Sequence, residues 1–240
     1  MQKLFGSERG IRTIGRMGLL NLKGRDLSGF DLDHAHLNRA NLAGVILKSA
    51  TLEGAELSRA NLSGADLTNA NLRNAKLGEA CLRGAILCDA CLENADLHDA
   101  DLSGAHLARV NAKGAGFKYA DLSGANLEKA MLDGADLTWA NLFGALLLSA
   151  SLVAARLYAT RLSGAILAAA NLESASLPGA LLHGADLGAA NLSHTDLHEA
   201  ELWGADLERA NLLGAQVTPE QLMQPKTLKE ATMPDGTKGE

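Results

Sequence analysis

Ala60-Asn61-Leu62-Ser63-Gly64-Ala65-Asp66-Leu67-Thr68-Asn69 repeats itself after five residues, and that step decides the fold of the whole chain. Read outward in fives, every position from Leu22 to Leu212 ending in 2 or 7 is Leu, except Ala112 and Phe117. Val217 closes a series of 40 positions, of which 37 are Leu. Two residues before each, Ala fills 33 of 40 places; the departures are Leu20, Arg25, Phe30, Val45, Val110, Thr160 and Thr195. The unit is A-(D/N)-L-x-x. A period of five matches neither the 3.6 of a helix nor the 2.0 of a strand, so the chain turns a corner in every unit. Leu and Ala point inward and the other three positions face solvent. A second period of 20 shows that four units close one coil: residues 24, 44, 64, 84, 104, 124, 144, 164, 184 and 204 are all Gly. Ten residues away the column is mixed, with Gly54, Gly114, Gly134 and Gly214 beside His34, Asn74, Asn94, Ala154, Ser174 and His194. An unbroken glycine column is what a tight corner at positive φ calls for.

On this motif, over about residues 21–217, the chain resembles the pentapeptide-repeat proteins. The resemblance implies an all-β fold: a right-handed quadrilateral β-helix, with four short faces per coil and about ten coils. At the ~4.8 Å spacing of strands the rod is ~48 Å long. No five-residue step is inserted or lost between Leu22 and Val217, so no long loop is expected to protrude. Three segments follow. Residues 1–20 break the repeat and carry Leu4, Phe5, Ile11 and Ile14, apolar enough to cap the first coil, with Phe30 helping to plug that end. Residues 21–217 form the β-helix, and residues 218–240 a C-terminal cap and tail. There Thr218-Pro219-Glu220-Gln221 reads as a capping box opening a short helix. That helix is expected to lay Leu222 and Met223 over the last coil, ahead of Leu228 and a Met233-Pro234-Asp235-Gly236 turn.

The composition agrees with a narrow aliphatic interior. Of 240 residues, 47% are hydrophobic but only 3% aromatic, and 25 are Gly. A conventional core takes much of its buried area from rings; a square of Leu and Ala has little room for them. Residues 137–155 contain no charge and include Leu146-Leu147-Leu148, yet the five-residue pattern runs through them unbroken, so no membrane span is expected. Glu8, Arg9, Arg12 and Arg16 interrupt the N-terminal apolar residues, which reads as a cytoplasmic chain rather than a secreted one.

Catalytic and ligand-binding signals are weak. Cys81, Cys88 and Cys91 include no pair 20 apart, so none stack. His194 and His198 have a spacing that binds zinc on a helix but here fall on different faces. Gly recurs with the corners and not as a phosphate loop, and a convex rod offers no cleft. Neither enzyme activity nor a metal or cofactor is expected.

The outward positions carry the functional signal. Residues 26–217 hold 23 acidic and 13 basic side chains, a net −10 within a chain of net −6, which argues against direct nucleic-acid binding. Phe143, Leu146, Leu148 and Ile166 fall on two adjacent faces near the seventh and eighth coils, with Val153 in the same coils. Tyr119 and Trp139 are 20 apart and are expected to stack, with Tyr158 nearby. Such patches mark contacts. The reading is a non-enzymatic scaffold that binds protein through its sides, a homodimer through the patch being one form of it. The family resemblance adds a second reading, in which the acidic body mimics DNA and the partner is a type II topoisomerase.

Overall fold

The computed structural model describes residues 20–239; the proposed N-terminal cap, apart from Leu20, lies outside them. Its repeating element is an isolated parallel bridge from each pentad to the pentad 20 residues on: Asn21 to Asn41, Asp26 to Ile46, Asp31 to Thr51, His36 to Glu56, and so down the chain. These rows define four faces. The first runs through Asn21 and Asn41, the second through Asp26 and Ile46, the third through Asp31 and Thr51, and the fourth through His36 and Glu56. Coils are counted from residue 21, so that coil six is 121–140, coil seven 141–160 and coil eight 161–180.

One pentad shows why these residues make this path. Leu62 N–H donates to Cys81 O at 2.7 Å and Gly64 N–H to Arg83 O at 2.9 Å, both in the next coil. Asn61 N–H donates back to Ala40 O, and Ala65 N–H closes the turn on Leu62 O, each at 2.9 Å. That leaves Ser63 N–H, which donates to Asn61 Oδ1 at 3.0 Å. The Asp or Asn before each Leu is therefore the acceptor for the one backbone donor that the coil leaves over. The consensus acid is a turn residue first and a surface charge second.

All four corners hold a residue at positive φ, and the glycine column is only one of them. Gly64 lies at 62°, Asn69 at 58°, Asn74 at 55° and Glu79 at 58°. A Cβ at Gly64 would meet nothing within 4 Å. Neither backbone angle nor crowding sets that column apart; its effect is to leave one edge of the rod as bare backbone.

The inward Leu and Ala columns are almost wholly excluded from solvent and form one continuous core. Among the described residues Phe117 is the one ring fully inside, on the face next to the undersized Ala112, and Phe30 packs partly against the core near the first coil. Thr160 and Thr195 occupy Ala slots with their hydroxyls donating to Leu137 O at 2.8 Å and Leu192 O at 2.7 Å. Both of these buried hydroxyls are thus paired.

The C-terminal end departs from expectation. The short helix is a single 3-10 turn, Gln221–Met223, and Met223 is 84% exposed; only Leu222 packs against the core. The reciprocal bonds of the capping box do form, Gln221 N–H to Thr218 Oγ1 at 3.2 Å and Thr218 N–H to Gln221 Oε1 at 2.9 Å. The same buried Gln221 donates through Nε2 to Leu197 O at 2.7 Å and Ala200 O at 2.8 Å. A polar side chain, not an apolar helix, satisfies the carbonyls of this edge. The chain then re-enters the coil one residue out of step. Asp206 pairs with Thr227 and Asn211 with Thr232. Thr227-Leu228-Lys229-Glu230-Ala231 is thus a pentad of an eleventh coil, with Ala231 fully buried.

Candidate interaction surface

Because every inward position serves the core, the site must be built from the outward columns. The structure divides the residues singled out from the sequence into two groups and one outlier. Leu146 and Ile166 are bridge partners on the second face, with Leu148 in the turn beside them; each is about 40% exposed. Phe143, 57% exposed, stands one turn earlier, against the Gly144 edge that separates the first and second faces. Tyr119, Trp139 and Tyr158 gather at the corner between the fourth and first faces. The expected stack of Tyr119 on Trp139 does not form. Trp139 instead meets Tyr158 edge-on, with ring centroids 5.7 Å apart and planes at 82°. Tyr158 stands in the turn of the next coil, one residue before the same corner. Val153 is half-buried on the third face, opposite the first, and belongs to neither group.

The apolar second-face group exists at the expense of the turn. Leu146 and Ile166 replace the usual Asp or Asn, so the N–H groups of Leu148 and Ala168 lose the acceptor that Ser63 and Thr68 enjoy. A hydrogen bond of this kind contributes about 0.5–1.5 kcal/mol. Ile46 and Ile86 make the same exchange singly; only at coils seven and eight do two such residues adjoin.

Charge is arranged in ladders between coils. Eleven of the thirteen basic residues between 26 and 217 make ion pairs, including Arg59 with Glu79, Arg73 with Glu93, Arg83 with Asp101 and Arg109 with Asp89. The hydrogen bond from Arg59 holds the Glu79 carboxyl below its ordinary range, and Arg73 does the same for Glu93. Asp96 raises the pKa of His98 by its hydrogen bond to the ring. Arg39, near the first end, and Arg161 are outside these ladders. Arg161 is exposed on the first face, between the Trp139 corner and the row of Phe143, and among the described residues it has no ion-pair partner. Sequence reasoning missed it because pairing depends on what stands one coil away.

The acids are spread around the rod. Counting each face with its following corner, the first carries three acids and two basic residues, the second seven and four, the third six and two, and the fourth seven and five. No face is a continuous negative stripe. Among the described residues no group of three His, Cys, Asp or Glu is placed to hold a metal, and Cys81, Cys88 and Cys91 are unpaired. No helix among them is long and apolar enough to cross a membrane.

The family model for pentapeptide repeats matches in eight copies across residues 21–54, 50–89, 90–128, 114–147, 150–188 and 185–218. No curated protein sequence gives a significant match. Among solved structures, the chain is similar to HetL, a pentapeptide repeat protein involved in heterocyst differentiation regulation from the cyanobacterium Nostoc sp. strain PCC 7120. The identity is 37% over 91% of this chain and 87% of HetL, with a TM-score of 0.42. It is also similar to QnrB1, a plasmid-mediated fluoroquinolone resistance protein, at 19% identity over 84% of each chain and a TM-score of 0.38. A pentapeptide repeat protein from the Arabidopsis thaliana thylakoid lumen is 31% identical over 48% of this chain and 68% of its own, with a TM-score of 0.21. The chain belongs to the pentapeptide-repeat family, and its fold is that family's right-handed quadrilateral β-helix.

Proposed function

We propose that the rod is a non-enzymatic scaffold that binds a protein partner through the aromatic corner of coils five to eight. One observation carries this reading. Tyr119, Trp139 and Tyr158 are half-exposed or more, and the unpaired Arg161 stands beside them on an acidic rod whose other cations are nearly all matched. Trp, Tyr and Arg are the residues that dominate the energetics of protein interfaces. The unmatched guanidinium supports a partner that brings a carboxylate to it. Three unpaired cysteines are in keeping with a reducing, cytoplasmic setting. The test is affinity capture with wild type and with Trp139→Ala, Tyr158→Ala and Arg161→Ala, each checked for an unchanged circular-dichroism spectrum. Loss of the same captured protein from all three variants is the expected result. An unchanged captured set refutes the reading.

The second reading, a DNA mimic acting on a type II topoisomerase, draws on the net −10 of the body. The spread of acids over all four faces, and their pairing with Arg and Lys, weigh against it. A gyrase supercoiling assay decides. Neither inhibition nor protection at micromolar protein removes this alternative.

A further inference from the structure

We infer that the second face at coils six to nine is a self-complementary surface on which a second copy of this chain docks antiparallel. The aromatic corner lies elsewhere on the rod, so this inference and the partner reading above can fail separately.

A rod of net −10 repels its own copy along most of its length. Between Lys129 of coil six and Asp186 of coil nine, however, the second face carries no charged side chain. Its outward positions there are Leu146, Leu148, Ser149, Ile166, Ala168 and Ala169. Two acidic rods can approach closely here.

Symmetry then fixes the register. Two flat faces related by a two-fold axis across the rods place each outward column against itself, running the opposite way. With the axis between coils seven and eight, Leu146 faces Ile166, Leu148 faces Ala168 and Ser149 faces Ala169. One coil further out Asn126 faces Asp186, Glu128 faces Gly188 and Lys129 faces Ala189. Each bulky turn residue meets a small one, and the two bridge residues meet apolar against apolar. At the rim the Asn126 amide meets the Asp186 carboxylate, and Lys129 is matched within its own chain by Glu128 at 3.1 Å. Moving the axis one half-step destroys this. Centred on coil seven, Leu148 meets itself and Ile166 meets Asn126; centred on coil eight, Leu146 meets Asp186. The bare Gly144 and Gly164 edge lets Phe143 of each copy close over the side of the contact.

Four coils span ~19 Å at the ~4.8 Å strand spacing, so the contact belongs with small, weakly associating interfaces. Sedimentation velocity of the full chain between ~10 μM and ~1 mM is the first measurement. The expected result is a reversible dimer whose Kd rises at least about tenfold in Leu148→Glu and in Ala168→Glu, and is unchanged in Trp139→Ala. Register is read by disulfide trapping in a Cys81→Ser/Cys88→Ser/Cys91→Ser background. Mixing a Leu148→Cys chain with an Ala168→Cys chain is expected to give the mixed disulfide in preference to either homodisulfide. A monomer throughout the concentration range, or a dimer indifferent to both glutamates, overturns the inference. A predominant homodisulfide of Leu148→Cys overturns the antiparallel register.

Discussion

The pairing of an undersized and an oversized residue in the core gives the sharpest test of how this rod is filled. Ala112 and Phe117 are the two departures from Leu between 22 and 212, they follow one another by a single pentad, and both are fully buried. Ala lacks three of the side-chain carbons of Leu, and Phe has three more. The ring at one face therefore fills the volume vacated on the next, and the coil keeps its total. At about 0.8 kcal/mol for each buried carbon, Phe117→Leu alone leaves a void worth up to about 2.4 kcal/mol, less whatever the coil recovers by relaxing. Ala112→Leu alone crowds the ring and costs about 1–3 kcal/mol. The double variant restores the consensus on both faces and is expected within about 1 kcal/mol of wild type. The coupling is then about 2–5 kcal/mol, well beyond the few tenths seen for independent sites. Equilibrium denaturation followed by circular dichroism measures all four proteins. Comparison requires equal denaturant slopes, because solenoids can unfold segment by segment. Single losses that simply add in the double variant would show that the two positions do not share space, and the reasoning fails.

Three further outcomes follow from the hydrogen bonds and ion pairs. Asp66→Ala removes the acceptor for Thr68 N–H and its hydroxyl, at 3.1 and 2.6 Å, and is expected to cost about 1 kcal/mol, which Asp66→Asn largely restores in a thermal melt. Gln221→Ala strands the carbonyl of Ala200, while that of Leu197 keeps the Ala200 N–H, costing about 1–3 kcal/mol, and hydrogen exchange should speed near residues 197–217 while mid-rod amides stay protected. Acid destabilises through Glu79, Glu93 and Asp89, whose folded pKa values are depressed by Arg59, Arg73 and Arg109. Their contribution is present above the ordinary values of 4.5 and 3.8 and is lost as pH falls through the lowered folded values. His98, raised from 6.5 by Asp96, acts with the opposite sign, contributing below 6.5 and fading as pH rises through its folded value. A Tm that stays constant from pH 5 to below pH 3 contradicts the acid prediction.

The fold was legible because the constraint repeats: Leu22 to Val217 declares the inward columns 40 times over, and a slip of one residue anywhere would show. The eleventh coil escaped notice because the 3-10 turn at Gln221–Met223 shifts Thr227-Leu228-Lys229-Glu230-Ala231 by one residue, which breaks the count but not the stacking. The surface was legible only in part. A column is a sequence property, so Leu146 over Ile166 followed from their spacing of 20. Which neighbour a ring turns toward does not follow from spacing, and Trp139 chose Tyr158 over Tyr119. Arg161 stood out only once the partners of the other cations were known.

The acidity of the body is where structure most changes the functional argument. Asp26, Asp31, Asp66, Asp96, Asp101, Asp121, Asp136, Asp186, Asp196 and Asp206 each accept the backbone N–H two residues on. Those ten account for the whole excess of acids over bases between residues 26 and 217. Asn keeps the same acceptor, so replacing all ten Asp by Asn neutralises the body and leaves the turns intact. The exposed ion pairs lost in the exchange contribute little each. A partner that reads the rod as a negative surface must release the neutral variant, whereas one held at Trp139, Tyr158 and Arg161 must keep it. Retained capture by the ten-fold Asn variant, with loss in Trp139→Ala, is the expected outcome; the reverse pattern would assign the function to the charge and not to the departures from the repeat.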